Sequence, residues 1–205
     1  TNIELINSNE EDTIKNQKKW INYISFQTER MSNLVNNLLY LAKADNNEVL
    51  GVISKFNLSD AIMSQLLSFE AIMYENNLML DSDIQNDIEF TGDKESINQV
   101  IGILMDNAIK HSYEKSSINV ELKERKQKIL LSVTNKGDTI PKEDIDKIFD
   151  RFYRVDKARA REKGGYGLGL SIAKSIVEKY KGKVGVTSEN NITTFNIELS
   201  NKEKE

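Results

Sequence analysis

The 205-residue chain has no cysteine, one proline and one histidine. Without cysteine there is no disulfide framework, no thiolate metal site and no cysteine nucleophile. A single histidine cannot build a metal centre that needs several imidazoles. One proline and 10 glycines argue for regular helices and strands over a loop-rich fold. No apolar run approaches the roughly 20 residues that span a bilayer, and no segment has the pattern of a secretory signal. Lys and Arg number 28 against 32 Asp and Glu, a formal net charge of −4. That balance lacks the basic excess that nucleic acid or an anionic membrane surface requires. Composition therefore points to a cytoplasmic protein of helices and strands, with no nucleic-acid or membrane contact of its own. It is long enough to bury a core without covalent staples.

The first 45 residues contain neither Gly nor Pro and read as helix throughout. From Trp20 the positions Ile24, Gln27, Met31, Leu34, Leu38 and Leu41 follow at alternating spacings of three and four, the seam of a coiled coil or helical bundle. A second row (Ile21, Thr28, Val35, Leu39, Ala42) widens the stripe, which implies two or more partner helices. Thr1–Leu5 reads as the tail of another helix and Asn7-Ser8-Asn9 as a turn. Residues 1–48 are thus expected to be a helical-hairpin fragment that needs further helices to cover its stripe.

Residues 52–200 have a different texture. Ser59-Asp60 is expected to cap a helix over 61–76. Short strands follow at 78–80 and 88–90, and Asp93 caps a strongly periodic helix over 94–111. The alternating runs 118–122 and 129–133 predict neighbouring antiparallel strands. A loop and short helix are expected over 138–153, a helix over 168–180, and strands at 184–187 and 194–199. The fold class is α+β, a two-layer α/β sandwich with helices on one face of a mixed sheet.

Four stretches carry chemistry. Within Gln99–Ser112, Asn107, Lys110 and His111 stand at i, i+3 and i+4 and share one helix face. An amide oxygen, an ammonium and an imidazole suit a divalent metal with phosphates, although a solvated polar stripe reads the same way. Val133-Thr134-Asn135-Lys136-Gly137-Asp138-Thr139-Ile140-Pro141 leaves a strand through a glycine, as an ordinary turn also would. Phe149, Phe152 and Tyr153 alternate with Arg151 and Arg154 at a spacing that core packing also explains. Glycines 165, 167 and 169 run into an amphipathic helix, whose free N–H groups and dipole favour an anion. That stretch lacks the Gly-Lys-Ser/Thr ending of a Walker loop.

Their order, within about 65 residues, resembles the catalytic ATP-binding domain of sensor histidine kinases in two-component systems. In that family these are the N box, first glycine box, F box and second glycine box. Thr28–Asp45 resembles the second helix of the family's dimerisation and phosphoacceptor domain. The resemblance implies ATP and Mg²⁺ as cofactors, with Asn107 as the metal ligand and Lys110 and His111 at the phosphates. It places Asn135, Gly137 and Thr139 around the adenine, and counts Ile140, Phe149 and Thr193 among the nucleotide-binding residues. Arg154, Gly165, Gly167, Leu168 and Gly169 would serve the phosphates. Residues 154–166, including Lys157, Arg159, Arg161 and Lys163, would form a lid. The implied partners are a second copy, through the helical region, and a response regulator receiver domain. The parent protein would be membrane-anchored.

Two departures stand out. The position at which the family carries an adenine-binding Asp is Asn135, and the first Asn of the N box is Ile103. The acceptor pattern, His followed by an acid and then Thr-Pro, occurs nowhere. The sequence is thus expected to be a piece of a kinase without its phosphoacceptor, unable to phosphorylate itself. The alternative is a non-catalytic nucleotide-binding or dimerisation module of the same fold. A gyrase-like or mismatch-repair-like ATPase is disfavoured by the F box and the heptad helix.

Overall fold

A computed structural model describes residues 1–8, 13–45, 51–155 and 166–200. The chain divides into two compact units, Thr1–Asn46 and Asn47–Glu205.

The first unit holds α1 (Asn2–Asn7) and α2 (Ile14–Asp45), two helices as the hairpin reading of this stretch expects. Thr1 caps α1 by accepting from the Glu4 amide, and Glu4 reaches back in a capping box. α1 folds back on α2, where the Gln17 side-chain amide donates to the Ile6 carbonyl at 3.3 Å. Along α2, Met31, Val35, Leu38 and Leu39 stay exposed. Trp20, Ile24 and Leu34 of the same stripe are half-buried and Leu41 is buried, so the stripe is only partly presented.

The second unit runs β1 (Ser54–Asn57), α3 (Leu58–Leu67), α4 (Glu70–Glu75), β2 (Met79–Ile84), β3 (Glu89–Gly92) and α5 (Lys94–His111). It continues with β4 (Ser117–Arg125), β5 (Lys128–Lys136), α6 (Gly169–Lys179), β6 (Lys183–Glu189) and β7 (Ile192–Ser200). Five strands form one sheet in the order β2-β4-β5-β7-β6. β2 and β4 are parallel and every other pairing is antiparallel, so the sheet is mixed. β1 and β3 make a separate two-stranded ribbon.

Alternation along the strands explains the layers. Ile118, Val120 and Leu122 on β4, Ile129, Leu131 and Val133 on β5, and Phe195, Ile197 and Leu199 on β7 are buried on one face. Against it lie Val100, Ile101, Leu104, Met105 and Ala108 of α5 and Ile172, Ala173, Ile176 and Val177 of α6. Burying each of the larger of these side chains is worth about 1.5–3 kcal/mol, and this layer is the principal source of the unit's stability. At one end, Phe90 packs edge-on between Phe56 and Tyr180, with centroids 6.1 and 5.3 Å away.

The structure corrects one expectation here. The helix expected over 61–76 starts earlier and breaks in the middle. Asn57, not Ser59-Asp60, is its cap, accepting from the Asp60 amide at 3.1 Å. Ser59 is buried instead, donating to the Gln85 carbonyl and accepting from the Ile88 amide. At the break, the Ser68 hydroxyl donates to the Gln65 carbonyl at 2.6 Å, competing with the helix for that acceptor. Over 138–153 the expected loop and short helix are present, the helix as one 3₁₀ turn, Lys147–Phe149. The expected Asp93 cap is present and accepts from the Ser96 amide at 3.1 Å.

Candidate nucleotide site

α5 delivers Asn107, Lys110 and His111 in its last two turns. Asn107 is half-buried, while Lys110 and His111 are exposed. The Asn107 amide makes no side-chain hydrogen bond to another described residue. Lys110 Nζ lies 3.4 Å from Asp106 Oδ2, both groups being solvent-exposed. Such an exposed pair is worth at most about 1 kcal/mol. No cluster of three or more His or acidic side chains that could hold a metal occurs among the described residues. Mg²⁺ does not require one, because it takes one or two protein oxygens together with phosphates and water. The lone amide oxygen of Asn107 fits that use.

β5 and β7 bring the next group together. Asn135 stands directly opposite Thr193, and Thr193 opposite Ser188 of β6. Directly opposed residues share a sheet face, so the three form a polar row at the end of the apolar, helix-facing side. All three are buried. Ser188 Oγ and Thr193 Oγ1 are 2.8 Å apart, and the Ile140 amide donates to Ser188 Oγ at 2.8 Å. Asn135 is 3% exposed, yet its amide makes no side-chain hydrogen bond to another described residue. Among the described residues Asn98 Oδ1 is the one fully buried side-chain polar atom without a partner, so the Asn135 amide is still reached by solvent and is open to a ligand edge.

Beyond Asn135, Gly137 lies against the end of α5. A Cβ there would fall 1.8 Å from the His111 carbonyl oxygen, so only glycine permits this approach. The Gly137 amide donates to the Asn191 carbonyl at 3.0 Å, and the Asn191 amide donates to Thr139 Oγ1 at 3.0 Å. Asp138 accepts from the Tyr113 hydroxyl at 2.9 Å. This bond to a carboxylate, followed by desolvation, holds the Tyr113 phenol above its ordinary pKa.

α6 supplies the anion end. It starts at Gly169, its Ncap Leu168 makes no side-chain cap, and its first turn contains no acid. α3 and α5 have both a side-chain cap and an acid in the first turn. The first amides of α6 are thus open to a phosphate. Gly169 lets this turn approach α5, because a Cβ would sit 3.3 Å from a methyl of Ile103. Gly167 has φ +69°, and its carbonyl accepts from the Phe152 amide at 2.8 Å. The aromatic segment is fastened in turn: Tyr153 donates to Asp144 at 2.5 Å, and Phe149 packs edge-on to Phe195 at 6.4 Å. Arg154 is half-buried.

The structure therefore gathers Asn107, Lys110, His111, Asn135, Gly137, Thr139, Ile140, Thr193, Gly167, Leu168 and Gly169 onto adjoining ends of α5, β5, β7 and α6. Phe149 packs on Phe195, on the same helix-facing side of the sheet. Gly165 and the lid cations Lys157, Arg159, Arg161 and Lys163 lie outside the described residues. Ser188 and Asn191 were not recognised from sequence. Ser188 had a signal, being polar on a strand face where Val184 and Val186 precede it.

Residues 92–203 match the family model described as histidine kinase-, DNA gyrase B- and HSP90-like ATPase. The chain belongs to this ATPase family. Within it, similarity runs to sensor kinases. The sensor protein DltS of Streptococcus agalactiae serotype V is 34% identical over 181 residues, covering 88% of this chain and 46% of the relative. The histidine kinase ArlS of Staphylococcus aureus strain USA300 is 36% identical over 173 residues, covering 83% of this chain and 38% of the relative. The chain spans less than half the length of these relatives. Among solved structures, the nucleotide-free catalytic domain of the histidine kinase ThkA is 28% identical with a TM-score of 0.65, covering 73% of this chain and 96% of that one. The histidine kinase AdeS of Acinetobacter baumannii has a TM-score of 0.77 at 22% identity, over 99% of this chain and 96% of that one, a likeness of fold.

Proposed function

We propose that residues 52–200 are the catalytic ATP-binding domain of a two-component sensor histidine kinase and that residues 1–48 belong to its dimerisation and phosphoacceptor region. The domain transfers the γ-phosphoryl of ATP to a histidine that is not among these 205 residues, for relay to a response regulator. The observation that supports this reading most strongly is the buried side chain of Asn135, whose amide makes no side-chain hydrogen bond to another described residue, together with the uncapped start of α6. One end takes a base edge and the other takes phosphates. Asn107 supplies an oxygen to Mg²⁺, and Lys110 and His111 meet phosphate oxygens. When bound, the ion would offset the charge of the phosphates.

The exposed stripe of α2 supports pairing with a second copy, because four apolar side chains on one face favour bundle packing. A response regulator partner is supported by the solved complex of ThkA with the response regulator TrrA; ThkA there is 26% identical with a TM-score of 0.75, over 98% of this chain and 58% of that one. Among the described residues no helix is long and apolar enough to cross a membrane, and we place this portion in the cytoplasm of a membrane-anchored parent. The test is calorimetric titration of the chain with ATP, with and without Mg²⁺. Binding should depend on the metal, and Asn107→Ala should remove that dependence. Absence of binding at millimolar ATP would overturn the site.

A further inference from the structure

The floor of the base pocket is neutral and can reverse its hydrogen-bonding sense. Asn135, Thr193 and Ser188 form its buried row. Asp93 is the one buried carboxylate among the described residues, and it caps the far end of α5. The flanking Asp138 is exposed and accepts from Tyr113. No acceptor-only group therefore belongs to the row.

Each member works in either direction. An asparagine side chain presents an acceptor oxygen and a donor NH₂, and a half-turn about its last bond exchanges them. No side-chain hydrogen bond to a described residue fixes Asn135 in one orientation. In the Ser188–Thr193 pair, at 2.8 Å, either hydroxyl can be the donor. The Ile140 amide occupies one lone pair of Ser188 and leaves its proton and second lone pair available. If Ser188 donates to Thr193, the Thr193 proton is free to donate outward. If Thr193 donates to Ser188, Thr193 is left as an acceptor.

Adenine and guanine differ by this same reversal. The adenine edge offers an amino donor beside a ring-nitrogen acceptor, and the guanine edge offers a carbonyl acceptor beside a ring N–H donor. An aspartate at position 135 would accept from the first and repel the second, because a carboxylate has no proton to give the carbonyl.

We infer that Asn135 and Thr193 make this pocket a purine-nucleotide site that takes GTP as well as ATP, by turning the amide and reversing the hydroxyl pair. The inference rests on the proposed nucleotide-binding function and specifies its substrate class.

The test is calorimetric titration of the chain, with Mg²⁺, against ATP, GTP and CTP. GTP should bind within about tenfold of ATP, and CTP, which has no purine edge, much more weakly. Asn135→Asp should retain ATP while losing GTP by about a hundredfold or more relative to it. Thr193→Val should weaken both purine nucleotides by about three- to tenfold and leave CTP unchanged, a check that stands should the Asp variant not fold. Binding of ATP with GTP more than a hundredfold weaker would overturn the inference and leave the proposed function standing. Equal binding of all three would overturn the inference too, since phosphates alone would then hold the nucleotide. Binding of neither purine nucleotide would overturn the function itself.

Discussion

The carbonyl oxygen of His111 occupies the space into which any side chain on Gly137 would have to grow. The gap from that oxygen to an ideal Cβ is 1.8 Å, far inside contact distance. α5 and β5 are pressed together there, and this holds the helix bearing Asn107 beside the strand bearing Asn135. Gly137→Ala should force them apart, destabilising the domain by about 1–3 kcal/mol, as overpacking does. Urea unfolding measures the loss, and ATP affinity should fall with it. An unchanged midpoint would mean that the strand end moves freely, without a helix behind it.

Gly167 presents a different constraint, because its backbone is left-handed at φ +69°. An alanine there costs about 1–2 kcal/mol in conformation alone, and its Cβ would lie 2.7 Å from the Tyr153 carbonyl. Gly185 is the natural control, since nothing lies within 4 Å of its would-be Cβ. Gly167→Ala should lower stability and phosphate affinity together, whereas Gly185→Ala should change neither by more than about 0.5 kcal/mol. Equal effects at the two sites would sink the assignment of Gly167 as a conformational requirement.

Thr139 ties the pocket rim to the β6–β7 turn through the Asn191 amide, at 3.0 Å. Thr139→Val keeps the shape and removes the acceptor, a loss of about 1 kcal/mol. The specific readout is hydrogen exchange: the Asn191 amide should exchange faster while strand amides of β7 do not. Unaltered exchange at Asn191 would show that the bond does not hold the turn.

What the sequence disclosed and what it hid divide along a physical line. α5 was legible to the residue because one strong cap, Asp93, opens a periodic run. The β4–β5 hairpin was legible because Ile118–Leu122 and Ile129–Val133 alternate cleanly. The parallel pairing of β2 with β4 left no local mark, since it joins segments separated by the whole of α5. The break at Ser68 depends on one hydroxyl choosing a carbonyl. In the candidate site, Asn107, Gly137 and the glycines before α6 show themselves by type and spacing. Ser188 and Asn191 do not, because their roles come from atoms of Ile140, Thr193, Gly137 and Thr139 that only folding brings near.

Tyr153 gives a pH dependence of defined sign. Its hydrogen bond to the Asp144 carboxylate, then desolvation and nearby acids, raises its pKa above the ordinary value of 10.0. The folded state therefore holds this proton more tightly than the unfolded chain. The stabilisation is complete below the unfolded pKa, near 10, and is lost as pH rises through the higher folded value. Tyr153→Phe should flatten the fall in stability above about pH 10 without altering the slope at neutral pH. A variant with the parent's alkaline slope would assign that slope to other tyrosines, Tyr113 and Tyr180 among them.

Self-phosphorylation is the sharpest test of the proposed division of labour. Phosphoryl transfer requires an imidazole presented in line, opposite the leaving oxygen. The one histidine in the sequence is His111, in the last turn of α5, four residues from Asn107. Its carbonyl is packed on Gly137, which holds its backbone at the end of α5. If His111 meets the phosphate oxygens from there, as proposed, it would not stand opposite the leaving oxygen. Incubation with γ-labelled ATP should therefore leave no acid-labile phosphate on the 205-residue chain. The same chain mixed with a separate acceptor helix bundle should label that bundle. His111→Gln keeps a hydrogen-bonding group at the phosphates and should still support transfer, with reduced ATP affinity. Label found on His111 of the unmodified chain would overturn both its assignment as a phosphate contact and the claim that the acceptor lies elsewhere.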